Sequence, residues 1–296
     1  MVQLNFKAVI WIVLAFQPDH ALLRKVYEDH VSRCERDYGA NDPRTAQAAR
    51  DLGFFLKEAG DNKAAAGAFA KGLRIDQAKY GADAPQSLAG MIALAAVSGP
   101  VDAEALLRRS LASKSMNSQL AIPALSTLGD LRFAAGDPKG AVSCWRLALQ
   151  HAEAVRGPES EDAERILYSL SQAVDVKESI ELLARALAIA RHLWGDRHPE
   201  TATCEVNLAH ALLKAGRNED AAEQARAALS AFEASLGPRH PRVAVALSTI
   251  AEALTAQGNA RAAEPLYRRA WEIDRQALGE KDPRTLEDAR ALNALK

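Results

Sequence analysis

Cysteine is scarce in this 296-residue chain: Cys34, Cys144 and Cys204 are all there is. They are far apart, so neither a Cys-x-x-Cys motif nor a zinc-ligand spacing exists, and an odd, sparse set supplies no disulfide framework. The expectation is a reducing compartment, with each cysteine a small buried residue rather than a reactive thiol. Aromatics are also few, at 5% of residues. Strands favour aromatic and β-branched residues, while the abundant alanine is the best helix former, so an all-α chain is expected. Neither charge sign is in excess: 37 basic residues stand against 38 acidic, a formal net charge of −1. That balance carries no footprint of nucleic-acid binding and argues against a strongly anionic membrane surface as partner. The apolar run Ala8–Phe16 is too short to span a bilayer.

Catalytic motifs are missing as well. The glycines lie at helix ends, and there is no Gly-x-x-x-x-Gly-Lys, no His-Glu-x-x-His and no Gly-x-Ser-x-Gly. The segment "WGDRHPET" (194–201) gathers His198, Arg197, Asp196 and Glu200 as an active site would. Yet "LGPRHPRV", "LGEKDPRT", "YGANDPRT" and "YGADAPQS" repeat its frame elsewhere. His198 and His240 hold the same place in adjacent units, roughly 10 Å apart if the units stack as helices do, too far to share a zinc. The acidic pairs Glu219–Asp220 and Glu161–Asp162 fall at helix starts, where they complement the helix dipole. No catalytic residue, metal or cofactor is expected.

What the chain does have is a repeat, and repeats decide a fold before anything else. The marker prolines are Pro43, Pro85, Pro123, Pro199, Pro241 and Pro283, with Glu161 in the slot between Pro123 and Pro199, so the steps run 42, 38, 38, 38, 42 and 42 residues. Between markers, one helical stretch ends in a glycine ("LGFFLKEAGD", "NLAHALLKAGR", "TIAEALTAQGN") and a second follows ("AAAGAFAKGLRI", "AAEQARAALS", "AAEPLYRRAWEI"). Both space their apolar residues by three and four, which is helical. The glycine ends the first helix in the left-handed conformation, the proline opens the next unit, and Asp42 and Asp282 are N-caps. Small residues return in register: Gly53, Gly129, Ala209 and Ala251 in first helices; Ala65, Ala141, Ala221 and Ala263 early in second helices; Gly72, Ala148, Ala186, Ala228 and Ala270 further on. Such a helix pair cannot bury its apolar face alone, but stacked copies can. Unit two is short in its turn ("AVSGPVDAEALLRRSL"). Unit four has no inner glycine ("LSQAVDVKESI"), which predicts a bent or short first helix.

This pattern resembles the tetratricopeptide repeat in its roughly 42-residue, kinesin-light-chain-like form, most clearly over "AAEPLYRRAWEIDRQALGEKDPRT" and "GDRHPETATCEVNLAHALLKAGRNEDAAEQARAAL". The resemblance implies a right-handed superhelical α-solenoid. Residues 1–39 form a degenerate N-terminal helix pair or a signal-like segment, 40–281 are six repeats, and 282–296 are a capping helix whose Arg284, Glu287, Asp288 and Arg290 supply a polar face. For residues 2–16 a packed cap helix competes with a signal peptide cleaved after Val13-Leu14-Ala15.

The resemblance further implies that first helices line a concave face that takes an extended peptide or a partner's helix. Helix by helix, that face comprises Arg50, Phe54 and Lys57, then Asp130 and Phe133, then Asn207, His210 and Lys214, then Glu252 and Thr255. Asn207, in "VNLA", stands where kinesin-light-chain-like repeats carry an asparagine, and its amide could bond a peptide backbone. The expected function is a non-catalytic protein-interaction scaffold in the cytoplasm, with no nucleic acid and no membrane span. The alternatives are an exported scaffold if residues 1–15 are removed, a sensory or regulatory subunit of a separately encoded enzyme, and an enzyme with a composite site using His198 and His240.

Overall fold

The computed structural model describes residues 20–295. The cap-helix and signal-peptide readings of residues 1–16 lie outside them. The described residues hold fourteen helices and no strand, and the chain divides into two compact units between Ala135 and Gly136. The first unit contains α1 (His20–Tyr38), α2 (Pro43–Glu58), α3 (Asn62–Tyr80), α4 (Pro85–Ala95), α5 (Pro100–Leu111) and α6 (Ser118–Ala134). The second contains α7 (Pro138–Arg156), α8 (Glu161–Ser171), α9 (Val176–Trp194), α10 (Pro199–Lys214), α11 (Asn218–Leu236), α12 (Pro241–Ala256), α13 (Ala260–Leu278) and α14 (Pro283–Ala294). Each unit is an α-solenoid in which sequence neighbours pack as antiparallel pairs.

The punctuation works as its chemistry suggests. Gly60, Gly216 and Gly258 end first helices, and Gly81, Gly195, Gly237 and Gly279 end second helices, all at positive φ. Two helix starts carry the expected aspartate caps: Asp42 Oδ1 accepts from the Arg44 amide at 2.9 Å and Asp282 Oδ1 from the Arg284 amide at 3.0 Å. A third device recurs at the same junction. The Thr45, Ser87 and Thr201 hydroxyls donate to the carbonyls of Gly39, Gly81 and Gly195 at 2.9, 2.7 and 2.8 Å. A helix leaves its last carbonyls without intrahelical partners, and here the next helix supplies one.

The irregular units behave as their sequences require. First helix α8 has 11 residues against 16 in α10 and α12, and α4 and α5 have only 11 and 12. One marker misleads. Pro123 opens no helix; it lies inside α6, which begins at Ser118 because Asn117 Oδ1 accepts from the Leu120 amide at 3.0 Å.

The small residues are where backbones meet. Ala65, Ala141, Ala209, Ala221, Ala251 and Ala263 are fully buried. A Cβ built on Gly53 would lie 2.6 Å from the Phe69 ring, and one on Gly72 3.1 Å from the Ala46 carbonyl. Around these contacts sit Leu56 and Phe69 in the first unit and Leu183, Leu208, Leu212, Phe232, Leu247 and Ile250 in the second. Outside them, one ion pair returns at one register position of successive second helices. Lys71 meets Glu35, Arg185 meets Glu153 and Arg269 meets Glu233, each at 2.6 Å. Half-exposed pairs contribute at most about 1 kcal/mol each, so they fix stacking register more than stability.

Two measurements check this account. Gly53→Ala should lower unfolding stability by roughly 1–3 kcal/mol, because the new methyl overpacks against Phe69. Gly67→Ala, which meets nothing within 4 Å on the exposed side of α3, should raise it by up to about 1 kcal/mol. A chemical denaturation series on the two variants would reveal any failure of that opposite sign.

Candidate functional site

The cluster "WGDRHPET" resolves into a helix junction. Trp194 ends α9 and stacks on the His198 ring, centroids 5.7 Å apart. His198 Nδ1 accepts from the Glu200 amide at 3.2 Å, and His240 Nδ1 accepts from the Arg242 amide at 3.1 Å. Both imidazoles thus do what aspartate does at Asp42 and Asp282. Each needs its Nδ1 lone pair for the cap, which takes that nitrogen away from any metal.

The concavities that share residues lie on the first-helix face of the second unit. One, about 270 Å³, is lined by Tyr168 and Ser171 of α8 and by Asn207, His210 and Lys214 of α10. A second, about 350 Å³, is lined by His210, Leu213, Lys214 and Glu252. The third, about 470 Å³, lies between His210, Ser248, Thr249 and Glu252 on one side and Tyr267, Asp274, Arg284 and Asp288 on the other. His210 lines all three. First helices supply most of this wall because their i, i+3, i+4 stripe opposite the core faces outward here: Asn207, His210 and Lys214 follow that spacing along α10.

The chemistry centres on two groups. His210 Nε2 lies 3.0 Å from the Thr249 hydroxyl, which itself donates to the Val245 carbonyl at 2.8 Å. The hydroxyl proton is therefore committed, so Nε2 carries the hydrogen and Nδ1 is the acceptor. Burial lowers the imidazole's pKa, favouring the neutral ring. The second group is a pair of buried acids. Asp288 accepts from the Ser248 hydroxyl at 2.6 Å, and burial, with Asp274 nearby, pushes its carboxyl up to about 6. Asp274 is 2% exposed; its Oδ2 lies 3.5 Å from Arg284 Nε, its Oδ1 has no hydrogen-bond partner, and burial raises its pKa too. Elsewhere, the Cys204 thiol donates to Glu164 at 3.1 Å, and burial first, then that carboxylate, raise its pKa, which suppresses the nucleophilic thiolate.

Residues 173–234 and 205–276 match the family model of the tetratricopeptide repeat. These residues are tetratricopeptide repeats. No curated protein matches the chain in sequence. Among solved structures, the chain is similar to BtubC (BKLC) from P. vanneervenii, at 18% identity over 87% of this chain and 94% of that one, TM-score 0.57. It is similar to a signal transduction ATPase with numerous domains and a tetratricopeptide repeat sensor from Pyrococcus horikoshii, at 15% identity and TM-score 0.68, covering 98% of this chain but 45% of the other. A Rap protein complexed with competence and sporulation factor is also similar, at 12% identity over 86% of this chain and 71% of that one, TM-score 0.57. At these identities the likeness is one of fold.

Within the tetratricopeptide repeats, the structure gathers Asn207, His210, Lys214 and Glu252 around joined depressions. Thr255, one turn beyond Glu252, turns its hydroxyl back to the Ala251 carbonyl at 2.8 Å. In the first unit, Phe54 is half exposed and packs edge-on against Phe69, while Lys57 is exposed. Arg50 is taken up internally, donating to Asp76 and, at 2.6 Å, to Gln47. Asp130 and Phe133 lie exposed on α6. Sequence reasoning missed Tyr168, Ser248 and Asp274 as wall residues, and it took Arg284 and Asp288 only as part of a polar cap. The available signal was an acid, Asp274, inside the apolar stripe of "YRRAWEIDRQ".

The Asp288 carboxyl sets a pH dependence. Its ordinary value is 3.8 and its folded value about 6, so the fold prefers the protonated acid. Its contribution is fully favourable below the unfolded value and is lost as pH rises from about 4 to about 6, by at most about 3 kcal/mol. Asp288→Asn keeps an acceptor for Ser248 and removes the charge. The variant minus wild-type stability difference should grow over that interval and stay level above it, in urea titrations at stepped pH. A flat difference would place Asp288 in water.

Proposed function

We propose that the second unit binds a segment of a partner polypeptide, extended or helical, along its first-helix face. The tetratricopeptide repeat is generally a non-catalytic protein-interaction fold, and this chain carries the repeats. The observation that supports a groove here is the run of depressions joined through His210, with an amide at Asn207, an ammonium at Lys214 and a carboxylate at Glu252 along it. Such a wall offers donors and acceptors at intervals that suit a main chain, and flanking apolar groups such as Tyr168 and Leu213 for its side chains. Selectivity comes from shape and hydrogen bonding, with no chemical step. Among the described residues no helix is long and apolar enough to cross a membrane; the cytoplasmic location we propose rests instead on three scattered cysteines that offer no disulfide framework. The likeness to a tetratricopeptide repeat sensor and to a Rap protein holding a bound factor favours one second reading. In it the groove senses a ligand on behalf of a separately encoded enzyme.

The test is affinity capture with wild type beside Asn207→Ala/Lys214→Ala. Neither residue belongs to the core, so melting curves should coincide. Recovery of the bound polypeptide should fall by roughly tenfold or more, as expected when central interface groups are truncated. Equal recovery of the same polypeptides removes the groove assignment.

A further inference from the structure

The first and last complete hairpins among the described residues, α2–α3 and α12–α13, are built on one template. Helices α2 and α12 both have 16 residues, and α3 and α13 both have 19. Aligned on Pro43 and Pro241, Asp76 falls on Asp274, Arg50 on Ser248 and Gly90 on Asp288. In the first hairpin the buried Asp76 carries its own cation, since the Arg50 guanidinium donates to it and is itself largely buried. In the second hairpin the arginine is a serine, and the buried acid is left with a single long contact, to Arg284 of the next helix at 3.5 Å. A second acid, Asp288, stands where the first hairpin has glycine.

What occupies that place is a cavity of about 470 Å³, in which the carboxylates of Glu252, Asp274, Glu287 and Asp288 face one guanidinium, Arg284. Arg284 reaches only Asp274 Oδ2, at 3.5 Å, and Asp274 Oδ1 is buried without a partner. An unpaired carboxylate oxygen in a cavity is a costly feature unless something arrives to satisfy it. His210 adds no opposing charge while its ring is neutral.

We propose that this cavity is a specificity pocket for an arginine side chain of the partner polypeptide, whose guanidinium sits on Asp274 and Asp288 as Arg50 sits on Asp76. The assignment rests on the groove reading above and adds the chemical identity of one anchor. Arginine fits better than lysine because its planar fork can bridge two carboxylates and sheds water at lower cost. Glu252 and Glu287 would steer the cation and hold its edge. The pocket shares His210 with the Asn207–Lys214 stretch, which puts both within reach of one segment.

N-acetyl-L-arginine amide, titrated into the full chain and followed by NMR, is the direct probe. N-acetyl-L-citrulline amide has the same shape without the charge, and should bind roughly tenfold or more weakly. Ser248→Arg should restore the internal pair of the first hairpin, keep or raise the melting temperature, and abolish binding. Asp274→Asn should weaken binding by a similar factor and serves if the serine variant does not fold. Citrulline binding as well as arginine, or unchanged binding in the folded variants, overturns the pocket. No binding of the arginine probe overturns it too, even where partner capture still depends on Asn207 and Lys214. Conversely, charge-dependent arginine binding with capture unaffected by Asn207→Ala/Lys214→Ala leaves the pocket standing and removes only the groove reading.

Discussion

The structure depends on helices approaching where neither has a side chain to separate them. At Gly53 there is no room for a methyl beside Phe69, and at Ala209, Ala221, Ala251 and Ala263 no surface is left to water. Because the same register position is small in each unit, each pair meets its neighbour in nearly the same way, and a solenoid follows. The larger apolar residues then have fixed holes to fill, and burying each contributes about 1.5–3 kcal/mol. The glycine turns, N-caps and hydroxyl-to-carbonyl bonds follow from the same demand. Helices held this close must stop and restart within a few residues, and their end groups must find partners there.

That demand explains why the fold was legible. Glycine, proline and the capping residues report backbone conformations that only they adopt cheaply, and small residues in register report close approach. Pro123 shows where such reading stops. Its position is periodic, but helix starts are set by whichever side chain captures the free amides, and Asn117 does so first. His198 shows the converse. It reads as chemistry in isolation, yet one ring nitrogen with a lone pair can cap a helix as a carboxylate oxygen does.

The site was only half legible, for a related reason. Asn207, His210 and Lys214 follow from helical spacing alone, since three residues on one outward stripe share a face. Arg50 lies one position short of the Asn207 register, where α10 has the buried Val206, and it turns inward to Asp76, a partner on another helix that spacing along α2 does not reveal. Asp274 was missed because an acid beside Ile273 looks like an exposed break in an apolar stripe. Its burial depends on α14 closing over it, which is a tertiary fact.

The comparison of Asp76 with Asp274 carries the argument from stability to function. One repeat position holds a buried acid twice, under the same backbone geometry. Where an internal arginine meets it, the pair belongs to the architecture. A buried carboxylate whose partner is distant keeps much of its desolvation cost, and Asp274 has only Arg284 at 3.5 Å from one oxygen and nothing on the other. The second unit has the acid, has Asp288 where the first hairpin has Gly90, and has a cavity beside them. Proteins retain local instability of this kind where binding relieves it. The repeat thus supplies its own control: Arg50 shows how a guanidinium satisfies the acid, and Ser248 leaves the room in which the proposed guest arginine would do the same.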